Sequence, residues 1–255
     1  MNTSVIIDEN NYQFNKKSRN GVYIIHGFTG STHEVRDLAE YLGNLGFYSR
    51  ADNLPGHGTT PRDCNRYLYT DWIEFVEQGL AEMASQCDNV CVVGISMGSL
   101  LALHLSAIFP LDAAVYASIA IKFKDKISAR ILTPLFHRII PFRQKKYSYP
   151  KYLRDTIEHL GYNVWPMSAL NEFRKLTNYV NSELSSITCP SLLIHSNVDQ
   201  LTLKENIEFV YQKISSEQKE KFFIDNAPHN IFIPSPDREL IFEKIASFLE
   251  QSRKD

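Results

Sequence analysis

Cysteine is scarce in this sequence, and neither sign of charge dominates. The four cysteines, Cys64, Cys87, Cys91 and Cys189, form no C-x-x-C pair, so there is no paired-thiol motif. They read as reduced, buried thiols of a cytoplasmic protein. Twenty-seven basic residues against twenty-nine acidic ones leave a net charge of -2. That balance carries no global bias toward nucleic acid or a membrane surface. Apolar runs are short, and none approaches the length that spans a bilayer. The N-terminal Val5-Ile6-Ile7, between polar flanks, does not make a signal peptide. There is no internal repeat and no low-complexity tract. With 255 residues, 44% hydrophobic and 22% charged, the chain has the composition of a soluble globular protein. It is long enough for one domain with an insertion, or for two domains.

The residues around position 96 organise the rest. Val90-Cys91-Val92-Val93 reads as a buried strand. Gly94-Ile95-Ser96-Met97-Gly98 follows, a G-x-S-x-G pattern. Leu100, Leu101, His104, Leu105 and Ile108 then recur at helical spacing until Pro110 stops them. Ser96 therefore sits where a buried strand turns sharply into a helix. That corner needs small neighbours on both sides, lifts the serine oxygen clear of the sheet, and aims N–H groups at whatever the serine attacks.

Strands alternate with helices on either side of this motif. Val22–Ile25, 47–51, Ala113–Ile119, 191–195 and 221–225 read as strands, with a weaker opening hairpin formed by Val5–Ile7 and Tyr12–Phe14. Val35, Leu38, Ala39, Leu42 and Leu45 mark one helix. Asp71, with Glu74 three residues later, marks the start of another as a variant capping box. A further helix spans 203–214, and Ser235-Pro236 opens the last one with proline at its first position. The alternation predicts an α/β fold with a mostly parallel central sheet and helices on both faces. Between 121 and 187 the rhythm breaks into a proline-bearing, mostly helical stretch. It reads as a lid inserted between core segments 1–120 and 188–255.

A serine hydroxyl needs a base, and the base needs a carboxylate to hold its tautomer. In this topology the order is serine, acid, histidine, each in a loop at the C-terminal end of a strand. Asp199 and His229 satisfy both conditions. His195 precedes the acid, and Asp225 is too close to His229 in sequence. His104 falls on an apolar helix face and reads as a satisfied core histidine. His26 braces the loop it opens, and His57 reads as a structural or exposed turn residue. For the oxyanion, Met97 N–H supplies one donor and Phe28 N–H, from His26-Gly27-Phe28-Thr29-Gly30, supplies the other.

Taken together, these segments resemble the α/β-hydrolase superfamily, and within it the small-lidded bacterial carboxylesterases and monoacylglycerol lipases. The carrying residues are the Phe28 loop, Gly56-His57-Gly58, the Ser96 motif, Pro166–Leu170, Asp199 and His229. The resemblance implies Ser96, Asp199 and His229 as the triad, an acyl-serine intermediate, no cofactor and no metal. Asn226 and Pro228 depart from it, because a glycine often stands near the histidine in such proteins. The reaction it implies is hydrolysis of carboxylic esters with apolar acyl groups. Phe28, Met97, Phe136 and Ile140 would line the substrate pocket. Thioesterase, acyltransferase or carbon–carbon hydrolase chemistry would use the same triad, and a non-catalytic binding protein would share the scaffold.

Positions 121–155 hold ten basic residues, Lys122, Lys124, Lys126, Arg130, Arg138, Arg143, Lys145, Lys146, Lys151 and Arg154, and before Asp155 only one acid, Asp125. Ile127, Ile131, Leu135, Phe136, Ile139, Ile140 and Phe142 are interleaved. Either the apolar side roofs the pocket while the cations face water, or the surface meets anionic lipid or an anionic head group.

Overall fold

The structure is a computed structural model that describes residues 5–123, 132–145 and 159–252. Its centre is a seven-stranded sheet in the order β11-β10-β6-β5-β3-β4-β2. The strands are β2 (Tyr12–Phe14), β3 (Asn20–Ile25), β4 (Tyr48–Ala51), β5 (Asn89–Ile95), β6 (Ala113–Ala117), β10 (Ser191–Ser196) and β11 (Lys219–Ile224). All neighbours run parallel except β2, which pairs antiparallel with β4 at the edge.

Alternation along each strand divides the core in two. Tyr23, Ile25, Val90, Val92, Ala114, Tyr116 and Leu193 point to one face. Val22, Ile24, Cys91, Val93, Val115, Leu192 and Ile194 point to the other. Because both faces are covered, these strands read as continuous apolar runs. Helices α3 (Tyr69–Ala84), α4 (Met97–Ile108) and α6 (Met167–Glu183) pack on the first face. Helices α1 (Arg36–Asn44) and α8 (Arg238–Gln251) pack on the second. Short α2 (Pro61–Cys64) and α7 (Glu205–Lys213) complete the frame.

Several local expectations change. The opening hairpin does not form. β1 (Val5–Ile6) pairs in parallel with β8 (His159–Leu160), and β2 pairs with β4. Helix α3 starts at Tyr69 rather than at Asp71. Leu68 is extended, and the Asp71 carboxylate reaches back from the third helical position to accept Leu68 N–H at 2.7 Å. Helix α8 starts at Arg238 rather than at Pro236, and the carboxylate of its N-cap residue, Asp237, accepts Asn226 N–H at 2.8 Å. Leu45 is exposed beyond the buried stripe of α1.

Between β6 and β10 the chain leaves the sheet. Among the described residues this stretch is helical over about half its length and also carries short strands. It contains α5 (Thr133–Phe136), an antiparallel pair of β7 (Phe142–Gln144) with β9 (Val164–Pro166), and then α6. Ala169, Phe173, Leu176 and Val180 of α6 join the same apolar cluster as α3 and α4. Ile127, Ile131 and six of the ten basic positions lie outside the described residues.

Candidate active site

Ser96 is the single residue between the end of β5 and the start of α4. Its backbone has φ 57° and ψ -116°, a conformation that costs a non-glycine residue about 1–3 kcal/mol. Neighbouring elements hold it there. Ser96 N–H donates to Ala117 O at 2.9 Å, and Ser96 O accepts from Ser99 N at 3.1 Å. The flanking glycines are sterically required. A β-carbon on Gly94 would collide with the Gly98 carbonyl, and one on Gly98 with the Ile25 carbonyl of β3.

His229 Nε2 lies 3.0 Å from Ser96 Oγ, and its Nδ1 lies 2.7 Å from Asp199 Oδ2. A carboxylate only accepts, so Nδ1 carries the proton and Nε2 presents its lone pair to the serine O–H. Asp199 is fixed by Leu201 N–H at 2.7 Å, Thr202 N–H at 3.0 Å and the Thr202 hydroxyl at 2.5 Å. Burial alone would raise the Asp199 pKa. The charge and hydrogen bond of His229, with the Thr202 donors, outweigh that and hold it well below the usual carboxylate range. Burial would lower the pKa of His229. The charge and hydrogen bond of Asp199, with the charge of Glu34 added, leave it above that of a free imidazole.

The loop that carries His229 contains Asn226 and Pro228 and is held by side chains from other strands. Ser118 Oγ donates to His229 O at 2.7 Å, and Ser196 Oγ donates to Ala227 O at 2.5 Å. These two serines and Asp237 do the positioning, and nothing in their local sequence signals it.

His26, His57, His104 and His195 take structural places. His26 Nε2 accepts from Leu54 N–H at 3.0 Å while Nδ1 donates to Gly27 O at 2.8 Å. Burial pushes its pKa down to about 4, which keeps this brace neutral. His104 is buried with a carboxylate on each side, Glu183 at 2.8 Å and Glu77 at 2.9 Å. His195 is buried at the end of β10. His57 is buried among the rings of His26, Phe28 and Trp72 rather than exposed in its turn. Asp225 accepts from Asn197 Nδ2 at 2.6 Å.

Phe28 is buried and stacks nearly parallel on Trp165, centroids 6.1 Å apart and planes at 9°. Phe173 and Trp72 close the wall at 5.2 and 6.2 Å. Met97 is wholly buried in the core cluster. Phe136 and Ile140 are exposed, on and just beyond α5, and Phe136 is not among the ring partners of Phe28. Lys145 also departs from expectation. Its ammonium turns inward, to Thr29 Oγ1 and over the Trp165 ring at 4.5 Å. Among the described residues, no group of three His, Cys, Asp or Glu side chains is placed to hold a metal ion.

A serine at a strand–helix elbow, hydrogen-bonded through histidine to an aspartate on a mostly parallel sheet, defines a serine hydrolase of the α/β-hydrolase fold. The family model Hydrolase_4, described as serine aminopeptidase, S33, matches residues 16–235, and the chain belongs to that family. It is 28% identical over 245 residues to a thermostable monoacylglycerol lipase of Bacillus sp. (strain H-257), covering 89% of each chain. It is 23% identical over 233 residues to a carboxylesterase of Bacillus subtilis (strain 168), covering 90% of this chain and 92% of that one. Among solved structures, one from work on LipS and LipT, two metagenome-derived lipolytic enzymes, superposes with a TM-score of 0.88 at 26% identity. The match covers 97% of this chain and 100% of that one. A Paleococcus ferrophilus monoacylglycerol lipase shares the fold with a TM-score of 0.80 at 18% identity, covering 96% and 99%.

Proposed function

We propose that this protein hydrolyses carboxylic esters with apolar acyl groups, of the carboxylesterase or monoacylglycerol lipase type. The observation that carries the reading is the unbroken relay Asp199–His229–Ser96, with separations of 2.7 and 3.0 Å, at a strained elbow. Ser96 Oγ attacks the ester carbonyl as His229 Nε2 takes its proton. Asp199 stabilises the imidazolium that forms. The N–H groups of Met97 and Phe28 receive the developing oxyanion. Collapse of the intermediate releases the alcohol, protonated by His229, and leaves an acyl-serine. Water, activated by the same imidazole, then frees the acid. The lipase and carboxylesterase relatives support an ester as substrate. The wall of Phe28, Trp165 and Phe173 supports an apolar acyl chain.

Residues 121–187 act as a lid over this site in the same reading. Leu135, Ile139 and Phe142 are exposed there beside Arg138 and Arg143, a surface suited to anionic lipid. All four cysteines are free and buried, which supports a reducing, cytoplasmic setting. The test is labelling with a fluorophosphonate followed by turnover of p-nitrophenyl esters of increasing chain length. Labelling at Ser96, with turnover that Ser96→Ala abolishes, is expected. An unlabelled Ser96, or turnover that survives its loss, overturns the reading.

A further inference from the structure

This inference rests on the ester-hydrolase reading, because it concerns the loop that carries the Phe28 N–H. Two buried ionisable side chains grip that loop, one on each flank. On one flank, Gly27 N–H donates to Glu34 Oε2 at 3.0 Å. Gly30 lies against the same carboxylate so closely that a β-carbon there would collide with it. On the other flank stands Thr29, a non-glycine residue at φ 64°. Left alone, a residue in that region relaxes toward negative φ. Two contacts hold it: its hydroxyl accepts from Lys145 Nζ, and its carbonyl accepts from Tyr162 N–H at 2.9 Å.

Both donors come from the stretch between β6 and β10, outside the central sheet. Lys145 is itself fixed. Its N–H donates to Asn163 O at 3.2 Å, and its ammonium lies over Trp165, the ring stacked on Phe28. Burial pushes the Glu34 carboxyl pKa up and the Lys145 ammonium pKa down to about 7, while the charge of each favours that of the other across the loop. Phe28 is thus the middle residue of three. The residue before it is tied to the Glu34 carboxyl group on the core, and the residue after it to the Lys145 amine on the insertion.

We propose that Glu34 and Lys145 are positioning residues, a two-sided clamp that aims the Phe28 N–H at the oxyanion. The Lys145 half comes from the insertion, so the ester-cleaving site is complete only while that segment is docked on the loop. Preorganised donors are worth most where charge develops in the transition state. Loosening the clamp therefore weakens transition-state binding and leaves ground-state binding nearly intact.

The test compares Lys145→Met, which keeps the apolar stem over Trp165, with Thr29→Ala and Thr29→Ser. Readouts are kcat and KM on p-nitrophenyl butyrate and Ki for a phenylboronic acid, whose tetrahedral adduct needs the same donors. Removing a whole oxyanion donor costs about 10²–10³ in kcat, so a displaced one is expected to cost about 10- to 100-fold. Lys145→Met and Thr29→Ala should each lose that factor in kcat. Ki should weaken in parallel, with KM within about twofold. Thr29→Ser, which keeps the hydroxyl, should stay near wild type. Glu34→Gln, which keeps an acceptor for Gly27 N–H, should lose less than Glu34→Leu. Wild-type kcat and Ki in Lys145→Met and Thr29→Ala overturn the clamp, as does a loss confined to KM. Should Lys145→Met fail to fold, the Thr29 pair decides alone. Ser96→Ala separates the two claims. If it is inert while the clamp variants are normal, only the clamp fails; if it retains turnover, the ester-hydrolase reading itself fails.

Discussion

Gly94 and Gly98 set the width of the elbow between them: a β-carbon on the first would run into the carbonyl oxygen of the second. A Gly98 β-carbon would in turn strike β3. Strand and helix can approach this closely only without side chains, and Ser96 takes up the strain. Gly94→Ala and Gly98→Ala should therefore each destabilise the fold by about 1–3 kcal/mol, the usual penalty of overpacking. Urea unfolding midpoints measure this. Activity per folded molecule should fall too, because the serine is displaced.

The relay itself separates geometry from charge. Asp199→Asn can still contact His229, but it favours the wrong imidazole tautomer. A loss of about 10⁴ in kcat is expected, as when the acid of a comparable triad is neutralised. Far-ultraviolet circular dichroism and the urea midpoint check that the fold survives. A variant with wild-type kcat removes Asp199 from the mechanism.

Protonation gives a signed prediction. Only neutral His229 can accept the serine proton, so kcat/KM should fall as pH drops through its pKa. That pKa lies above the free imidazole value. Burial works against the charged form, but Asp199 and then Glu34 favour it more strongly. Glu34→Gln removes one of these negative charges, so the acidic limb should move to lower pH. A limb that stays in place or moves upward contradicts the charge linkage. The measurement is a pH profile of p-nitrophenyl ester hydrolysis.

His104 ties three helices together away from the chemistry. It sits on α4 and bridges Glu77 of α3 and Glu183 of α6. His104→Leu leaves both carboxylates without that partner, and Glu183 is only 19% exposed. Stranding a buried charged acceptor costs about 1–3 kcal/mol or more. The urea midpoint should drop accordingly, with ester turnover at low temperature retained.

Leu135 and Ile139 are 65% and 74% exposed, beside Arg138 and Arg143. Replacing both with serine should weaken sedimentation with anionic vesicles, because apolar insertion and cation attraction act together. Hydrolysis of water-soluble p-nitrophenyl acetate should be unaffected. Equal vesicle binding by variant and wild type removes this surface from the lipid contact.

Much of the frame was legible locally. Buried strands announce themselves as short apolar runs, and the Ser96 pentapeptide names its own turn because only glycine fits beside it. Ser96, Asp199 and His229 follow the ends of β5, β10 and β11, in the order that this sheet topology requires. Helix starts were less legible: Asp71 caps its helix from the third position inside it, and the last helix begins two residues after Pro236. The strand β2 was legible but its pairing was not, because its partner, β4, lies more than thirty residues away.

The sequence by itself determined the fold class and the Ser96 elbow, and it singled out Asp199 and His229, which the structure joins to Ser96 by hydrogen bonds, because each depends on residue type and spacing along one or two elements. Only the tertiary structure decided what surrounds them. Nothing local says that Glu34 lies under Gly27, that Lys145 turns inward to Thr29, that Ser118 steadies His229, or that His57 is buried among rings. Each of these contacts joins segments brought together by chain crossings, and a charge or hydroxyl carries no mark of the distant partner that packing selects for it.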